Sequence, residues 1–183
     1  MAKNVHVTGN ETFFGENDLI VSKTDQKGRL TYANRVFLDI SGYSEKECIG
    51  QPHSMIRHPD MPRCIFKLLW DTIQDGKEIF AYVINRCKNG DHYWVYAHVT
   101  PSWNAAGEII GYHSNRRVPD RKIIDEAIIP LYKELKAEEE KHQNRKVGLE
   151  ASQNMVSAFL AERSLAYDEF IMTVGQNMRR GYR

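Results

Sequence analysis

The chain has 183 residues, with 25 Lys and Arg against 24 Asp and Glu, a formal net charge of +1. That balance gives no electrostatic drive toward nucleic acid or an anionic membrane surface. A content of 42% hydrophobic and 27% charged residues is that of an ordinary globular chain with one sizeable core and an appendage. Met1 to Gly15 lacks the apolar run of a secretory signal, and no window approaches the ~18 apolar residues of a membrane span, so neither export nor direct membrane insertion is expected. Cys48, Cys64 and Cys87 are widely spaced, without CxxC or zinc spacing, and read as reduced thiols of a cytoplasmic protein.

Residues 1–17 read as an irregular N-terminal cap. Asp18 to Thr24 and Arg29 to Ala33 read as two strands of a hairpin, with Asp25-Gln26-Lys27-Gly28 as its turn. Asn34 is placed to cap a short helix carrying Val36, Phe37 and Ile40, ended by Ser41-Gly42-Tyr43. Ser44 and Glu47 have capping-box spacing for another. Met61 to Asp75 is the strongest helical pattern of the first half. Asp60 is its expected cap, Pro62 sits in its first turn, Gly76 follows its end, and Phe66, Leu69, Trp70 and Ile73 share one face.

Three strands follow, Ile79 to Cys87, His92 to Thr100 and Glu108 to Arg116, joined by turns at Asn89-Gly90 and Asn104 to Gly107. The order predicts an α+β domain over 18–118: a five-stranded antiparallel sheet with helices on one face. The remainder, 119–183, reads as a helical extension. Ile123, Ile124, Ala127, Ile128, Leu131 and Leu135 make a stripe in which Pro130 forces a kink or restart. Lys133 to Lys146 carries dense charge of both signs and predicts a solvated helical face. Ala151 to Met178 reads as one amphipathic helix carrying Val156, Leu160, Tyr167, Phe170, Ile171, Val174 and Met178. Its apolar stripe must fold back or pair with another chain, and a homodimer is compatible with it.

Two segments carry the functional signal. The hairpin at Asn89-Gly90 allows two registers. A two-residue turn sets Asn85 opposite Trp94; a bulged three-residue turn sets it opposite Tyr93. Tyr93, Val95, Ala97 and Val99 are the more apolar alternation, and His92, Trp94, Tyr96 and His98 the more polar. The bulged register therefore puts Asn85 on the inner face. An unmet amide there costs roughly 1–3 kcal/mol, so Asn85 either bonds local backbone or meets the edge of a heterocycle such as a flavin pyrimidine. The second segment is Arg57-His58-Pro59-Asp60-Met61-Pro62. Arg57 and a helix N-terminus favour an anion such as phosphate, although Asp60 as a cap and His58 as a loop residue are the plainer readings. Phe66 and Trp70, one turn apart, could wall a ring or simply fill a core.

These segments resemble the flavin-binding PAS domain of bacterial aerotaxis receptors. The matching residues are Thr24-Asp25, Tyr32-Ala33-Asn34, Ser41-Gly42-Tyr43, Gly50-Gln51-Pro52-His53, Arg57-His58-Pro59-Asp60-Met61-Pro62, Trp70 and Lys88-Asn89-Gly90-Asp91-His92-Tyr93-Trp94-Val95, with Pro130-Leu131-Tyr132-Lys133 beyond them. The resemblance implies a PAS fold, non-covalent FAD and a redox-sensing role. It assigns ligand-binding roles to Asn34, Arg57, His58, Asp60, Phe66, Trp70 and Asn85. Two departures stand out. No membrane anchor, HAMP segment or signalling coiled coil follows, which resembles the stand-alone PAS partner of split energy-taxis systems. Ile79-Phe80 stand where the family tends to carry a Trp. Photoreceptor LOV domains share part of the hairpin motif but need a cysteine where this chain has His53-Ser54-Met55-Ile56-Arg57.

The expectation is therefore a cytoplasmic, non-enzymatic redox sensor. It would signal to a separate membrane chemoreceptor of the methyl-accepting type that lacks its own PAS domain. The alternatives are a haem- or metabolite-binding PAS module, with His58 or His113 as ligand, and a cofactor-free interaction module. Removing Gly148 to Arg183 is expected to leave flavin binding intact and to abolish coupling to the chemoreceptor.

Overall fold

The computed structural model describes residues 6–180, with side chains through Gly175. Met1 to Val5 of the N-terminal cap and the side chain of Met178 lie outside what is described. The chain forms two compact units, Met1–Pro59 with Trp70–Pro119, and Asp60–Leu69 with Asp120–Arg183.

The first unit is built on one five-stranded antiparallel sheet in the order β2-β1-β5-β4-β3. Its strands are β1 (Ile20–Asp25), β2 (Leu30–Ala33), β3 (Ile79–Arg86), β4 (His92–Trp103) and β5 (Ile109–Arg117). The β1–β2 turn is set by Asp25, whose Oδ1 accepts from the N–H groups of Lys27 at 2.9 Å and Arg29 at 2.8 Å. Gly28 there has φ +74°, and a Cβ on it would fall 2.8 Å from the Trp70 ring. Backbone conformation and close approach thus both require glycine.

The β3–β4 hairpin takes the bulged register: Asn85 lies opposite Tyr93 and Arg86 opposite His92. Cys87 N–H donates to Asp91 C=O at 2.7 Å, and Gly90 N–H returns to Cys87 C=O at 3.1 Å. The N-terminal segment is clamped on this hairpin. Thr8 N–H donates to Gly90 C=O at 2.9 Å and Thr12 N–H to His92 C=O at 2.8 Å.

Helix α1 (Arg35–Ser41) is capped by Asn34 as the sequence predicts, and α2 (Glu45–Cys48) follows Ser44, whose N–H donates to Glu47 Oε2 at 3.0 Å. A 3-10 turn over His53–Ile56 is an element the sequence did not announce. Helix α3 (Arg63–Gln74) begins two residues later than the pattern predicts. Pro62 disfavours the helical conformation at Met61, which accounts for the later start. Burial on α3 falls on Ile65, Leu69 and Ile73, with Phe66 and Trp70 half-buried at the margin of that stripe.

In the second unit the chain runs through α4 (Arg121–Ile123), a π turn (Ile124–Ile128), α5 (Ile129–Glu140), α6 (Arg145–Glu162) and α7 (Tyr167–Arg180). Pro130 cannot donate to the carbonyl one helical turn back, and the ladder slips by one residue just before it, with Ile129 N–H reaching Ile124 C=O. The expected single helix over Ala151 to Met178 is in fact two. Ser164 adopts φ +51°. Arg163 N–H and Leu165 N–H both return to Leu160 C=O at 3.1 Å, and Glu169 accepts from Ala166 N–H at 2.8 Å to start α7. The apolar stripe therefore closes on itself. Phe159 of α6 meets Phe170 of α7 edge-on at 5.1 Å, and Val156, Leu160 and Ile171 gather with Ile65 and Ile128 round one small cavity.

Candidate functional site

Pairing across the sheet fixes which side chains share its inner face. Ile20 lies opposite Arg116, Ser22 opposite Ser114, Ala97 opposite Arg116, Val99 opposite Ser114 and Asn85 opposite Tyr93. Most of this face is apolar, formed by Ile20, Ala81, Val83, Val95, Ala97 and Val99, all buried. Set into it are Ser22, Asn85, Tyr93, Ser114 and Arg116, none more than 7% exposed. Four of these present an atom with no protein hydrogen-bond partner: Asn85 Nδ2, the Tyr93 hydroxyl, Ser114 Oγ and Arg116 Nη1. Buried polar groups are nearly always paired. Four left open on one face mark a surface complementary to a polar ligand rather than a finished core.

Arg116 is the most unusual of them. Its Nη2 donates to Ser22 Oγ at 2.9 Å and meets His53 Nε2 at 2.6 Å, and the guanidinium lies 5.8 Å from the centre of the Phe37 ring. A hydroxyl, a neutral imidazole and a ring face offer no counter-charge. Burial lowers Arg116 to about 10. Burial, and the cation beside it, push His53 down to about 3, so the ring is neutral and its Nε2 free to accept. Burial also raises the Tyr93 phenol, which stays protonated. The face therefore offers donors from Asn85 and Arg116 and rotatable hydroxyls from Tyr93 and Ser114.

A strap crosses this face. Residues 50–53 pair with the β2 margin: Leu30 N–H donates to Gln51 C=O at 2.8 Å, His53 N–H to Gly28 C=O at 2.8 Å, and Arg29 bridges Pro52. The His53–Ile56 turn carries His53 over Arg116. Arg57 then bridges Asn85 on the opposite margin, and Arg86 Nη2 donates to Met55 C=O at 3.1 Å.

The residues singled out in the sequence fall into three groups. Arg57 and Asn85 are brought together by that bridge, and His58, buried, has its ring 5.5 Å from His92. Asn34 and Trp70 sit in the scaffold. Asn34 Oδ1 accepts from Phe37 N–H and Val21 N–H, each at 3.0 Å, and its Nδ2 donates to Leu19 C=O at 2.7 Å, which ties α1 to β1. Trp70 packs against the β1–β2 turn and edge-on to Tyr112 at 5.5 Å. Asp60 and Phe66 belong to the helical unit, Asp60 exposed and Phe66 half-buried. There the N-terminus of α3, read from sequence as an anion site, already holds a carboxylate: Glu139 accepts from Cys64 N–H at 3.0 Å. His113 alternates with Tyr112 and Ser114 and lies on the opposite face of the sheet, where its Nε2 meets Asn115 Oδ1 at 3.1 Å.

Sequence reasoning assigned no role to Ser22, His53, Ser114 or Arg116. On β5 both alternations, Tyr112-Ser114-Arg116 and His113-Asn115-Arg117, are polar, so period-two reasoning could not choose between them. Pairing with Ile20 and Ser22 of β1 decides it.

Comparison with known proteins agrees with this architecture. A family model described as the PAS fold matches residues 30–116. The Escherichia coli (strain K12) aerotaxis receptor is 43% identical over 138 residues, 75% of this chain and 27% of that protein. A nitrogen fixation regulatory protein of Klebsiella pneumoniae is 28% identical over 106 residues, 58% of this chain and 21% of that one. The chain thus spans about a quarter of the length of these relatives. Among solved structures, the LOV domain of the blue-light photoreceptor Aureochrome1 in its dark state superposes with a TM-score of 0.54 at 21% identity, over 63% of this chain and 86% of that one. Sheet order and these likenesses converge: the chain has a PAS fold, similar in sequence to that of the aerotaxis receptor.

Proposed function

We propose that this protein is a redox sensor of the energy-taxis kind, holding FAD non-covalently on the inner face of its sheet. The observation that carries the reading is the set of four buried, unpartnered polar atoms on that face. The pyrimidine edge of a flavin alternates carbonyl acceptors with a ring N–H donor. A carboxamide at Asn85 and a guanidinium at Arg116 match such an edge, and the apolar remainder of the face suits a planar ring system. FAD would supply reversible electron transfer. Asn85 and Arg116 would hold the ring edge, with Tyr93 and Ser114 completing the contacts. Arg57 and His58, at the end of the strap, would serve the phosphate arm, while Trp70 would wall the ligand and Asn34 would fix α1. His113 lies on the other face of the sheet from these four atoms, which favours a flavin over a haem held by that residue.

A change of charge or protonation at the ring edge alters what Asn85 and Arg116 can donate to, and the strands carrying them would pass the change on. We further propose that the sensor works in the cytoplasm and that the recipient is a separate membrane chemoreceptor of the methyl-accepting type without a PAS domain of its own. The name of the aerotaxis receptor supports this. Among the described residues, no helix is long and apolar enough to cross a membrane. The test is the absorption spectrum of the purified protein, followed by mass spectrometry of the released chromophore. Flavin bands and the mass of FAD are expected. A Soret band or a colourless protein would overturn the cofactor, and FMN would overturn the dinucleotide.

A further inference from the structure

Glu139 departs from the charged run around it. Lys133 to Lys146 predicts a solvated face, and Lys133, Glu134, Glu140 and Lys141 are exposed. Glu139 instead continues the buried line of Tyr132 and Leu135 and is 2% exposed. A carboxylate so placed must be paired and hydrogen-bonded. Its Oε2 accepts from Arg63 Nε at 2.9 Å, and its Oε1 from Cys64 N–H at 3.0 Å and Ser152 Oγ at 3.2 Å. Arg63 Nη1 also donates to Arg145 C=O at 2.7 Å. One carboxylate therefore joins the first turn of α3, the end of α5 and the start of α6. Through Cys64 N–H it also satisfies one of the backbone donors that the first turn of a helix leaves open. The packing leaves no slack: a Cβ on Gly148 would lie 2.4 Å from Glu139 C=O and 3.2 Å from Arg63 Nη2.

We propose that the Glu139 carboxylate is a latch. While it is seated on Arg63, Cys64 N–H and Ser152, the α5–α6 hairpin is held on α3; its release frees that hairpin as a regulatory element. Removing one partner of a buried ion pair leaves the other charge uncompensated, which is strongly destabilising. The latch stands on these contacts alone. Its trigger rests on the flavin reading above, because α3 is one unbroken helix whose residues from Trp70 onward belong to the sheet unit.

The test is hydrogen exchange read by mass spectrometry on the full chain, oxidised and reduced. In Glu139→Gln, which loses the charge but keeps the shape, amides of 129–162 should exchange at least about tenfold faster, with the five strands unchanged. The double variant Arg63→Met with Glu139→Met should keep wild-type protection in 129–162 and lose any dependence on the oxidation state. Unchanged exchange in Glu139→Gln, or equal acceleration in the strands, would overturn the latch. A wild-type chain whose flavin reduces without altering exchange in 129–162 would overturn the trigger. If the wild-type chain binds no flavin, the flavin reading and the trigger fail together, and the latch is judged on Glu139→Gln alone.

Discussion

The guanidinium of Arg116 is held by a hydroxyl and a neutral imidazole, and keeping it charged and dry works against the ligand-free fold. Arg116→Met should therefore leave the ligand-free protein within about 1 kcal/mol of wild type, or more stable. Flavin retained through gel filtration should fall at least about tenfold, roughly the value of one charge-assisted hydrogen bond. Thermal melts and flavin absorbance per protein check the two halves. Asn85→Ser should likewise reduce flavin content or fix one signalling state; unchanged content together with unchanged taxis would count against a ring-edge role. His53 gives the site a pH signature. Its ring is pushed from the ordinary 6.5 to about 3 in the fold. Between those values the unfolded chain binds the extra proton, so stability falls as pH drops below about 6.5, by up to about 1.4 kcal/mol for each pH unit. Urea midpoints of the ligand-free protein at pH 7.5 and 5 should differ accordingly, and His53→Gln should flatten that slope. Asn85 was legible in the sequence because it interrupts an apolar alternation. Arg116 was not, because both alternations of its strand are polar.

At the scale of elements, the features that could be read were those written in a single residue's chemistry. Asn34 and Ser44 at helix starts, the Asp25–Gly28 turn and the bulge at Gly90 each appear where their backbone chemistry requires. The break between α6 and α7 was hidden because Ser164 is no conventional breaker and the apolar periodicity runs straight through it. The 3-10 strap was hidden because its shape is imposed by pairing at both ends, far away in sequence. The folded-back stripe yields an expectation of its own. Phe170, buried against Phe159, anchors α7, and Phe170→Ala should cost about 3 kcal/mol locally. Faster amide exchange confined to α6 and α7, with flavin content unchanged, would show that α7 is anchored by packing rather than by the ligand. Loss of flavin in that variant would contradict it.

For the molecule as a whole, the break at Ser164 changes how the extension should be trimmed. A cut before Gly148 divides α6 in its first turn and strips Ser152 from Glu139, so it disturbs more than an output surface. A chain ending at Arg163 removes α7 alone. It should keep its flavin and lose co-purification with the chemoreceptor and the swimming-plate response; normal taxis from it would place the output on the sheet. The strap bears on another property. Tied to β2 at Pro52 and to β3 at Arg57, it closes the inner face from both margins, so a ring system bound there cannot leave sideways while either tie holds. Exchange of bound flavin for free flavin should then proceed at the rate at which the strap unfastens. That rate should be first order in protein, indifferent to the concentration of competitor, and faster when the Arg57–Asn85 tie is weakened. A sensor loaded once, during its own folding, would keep its cofactor through every cycle of oxidation and reduction.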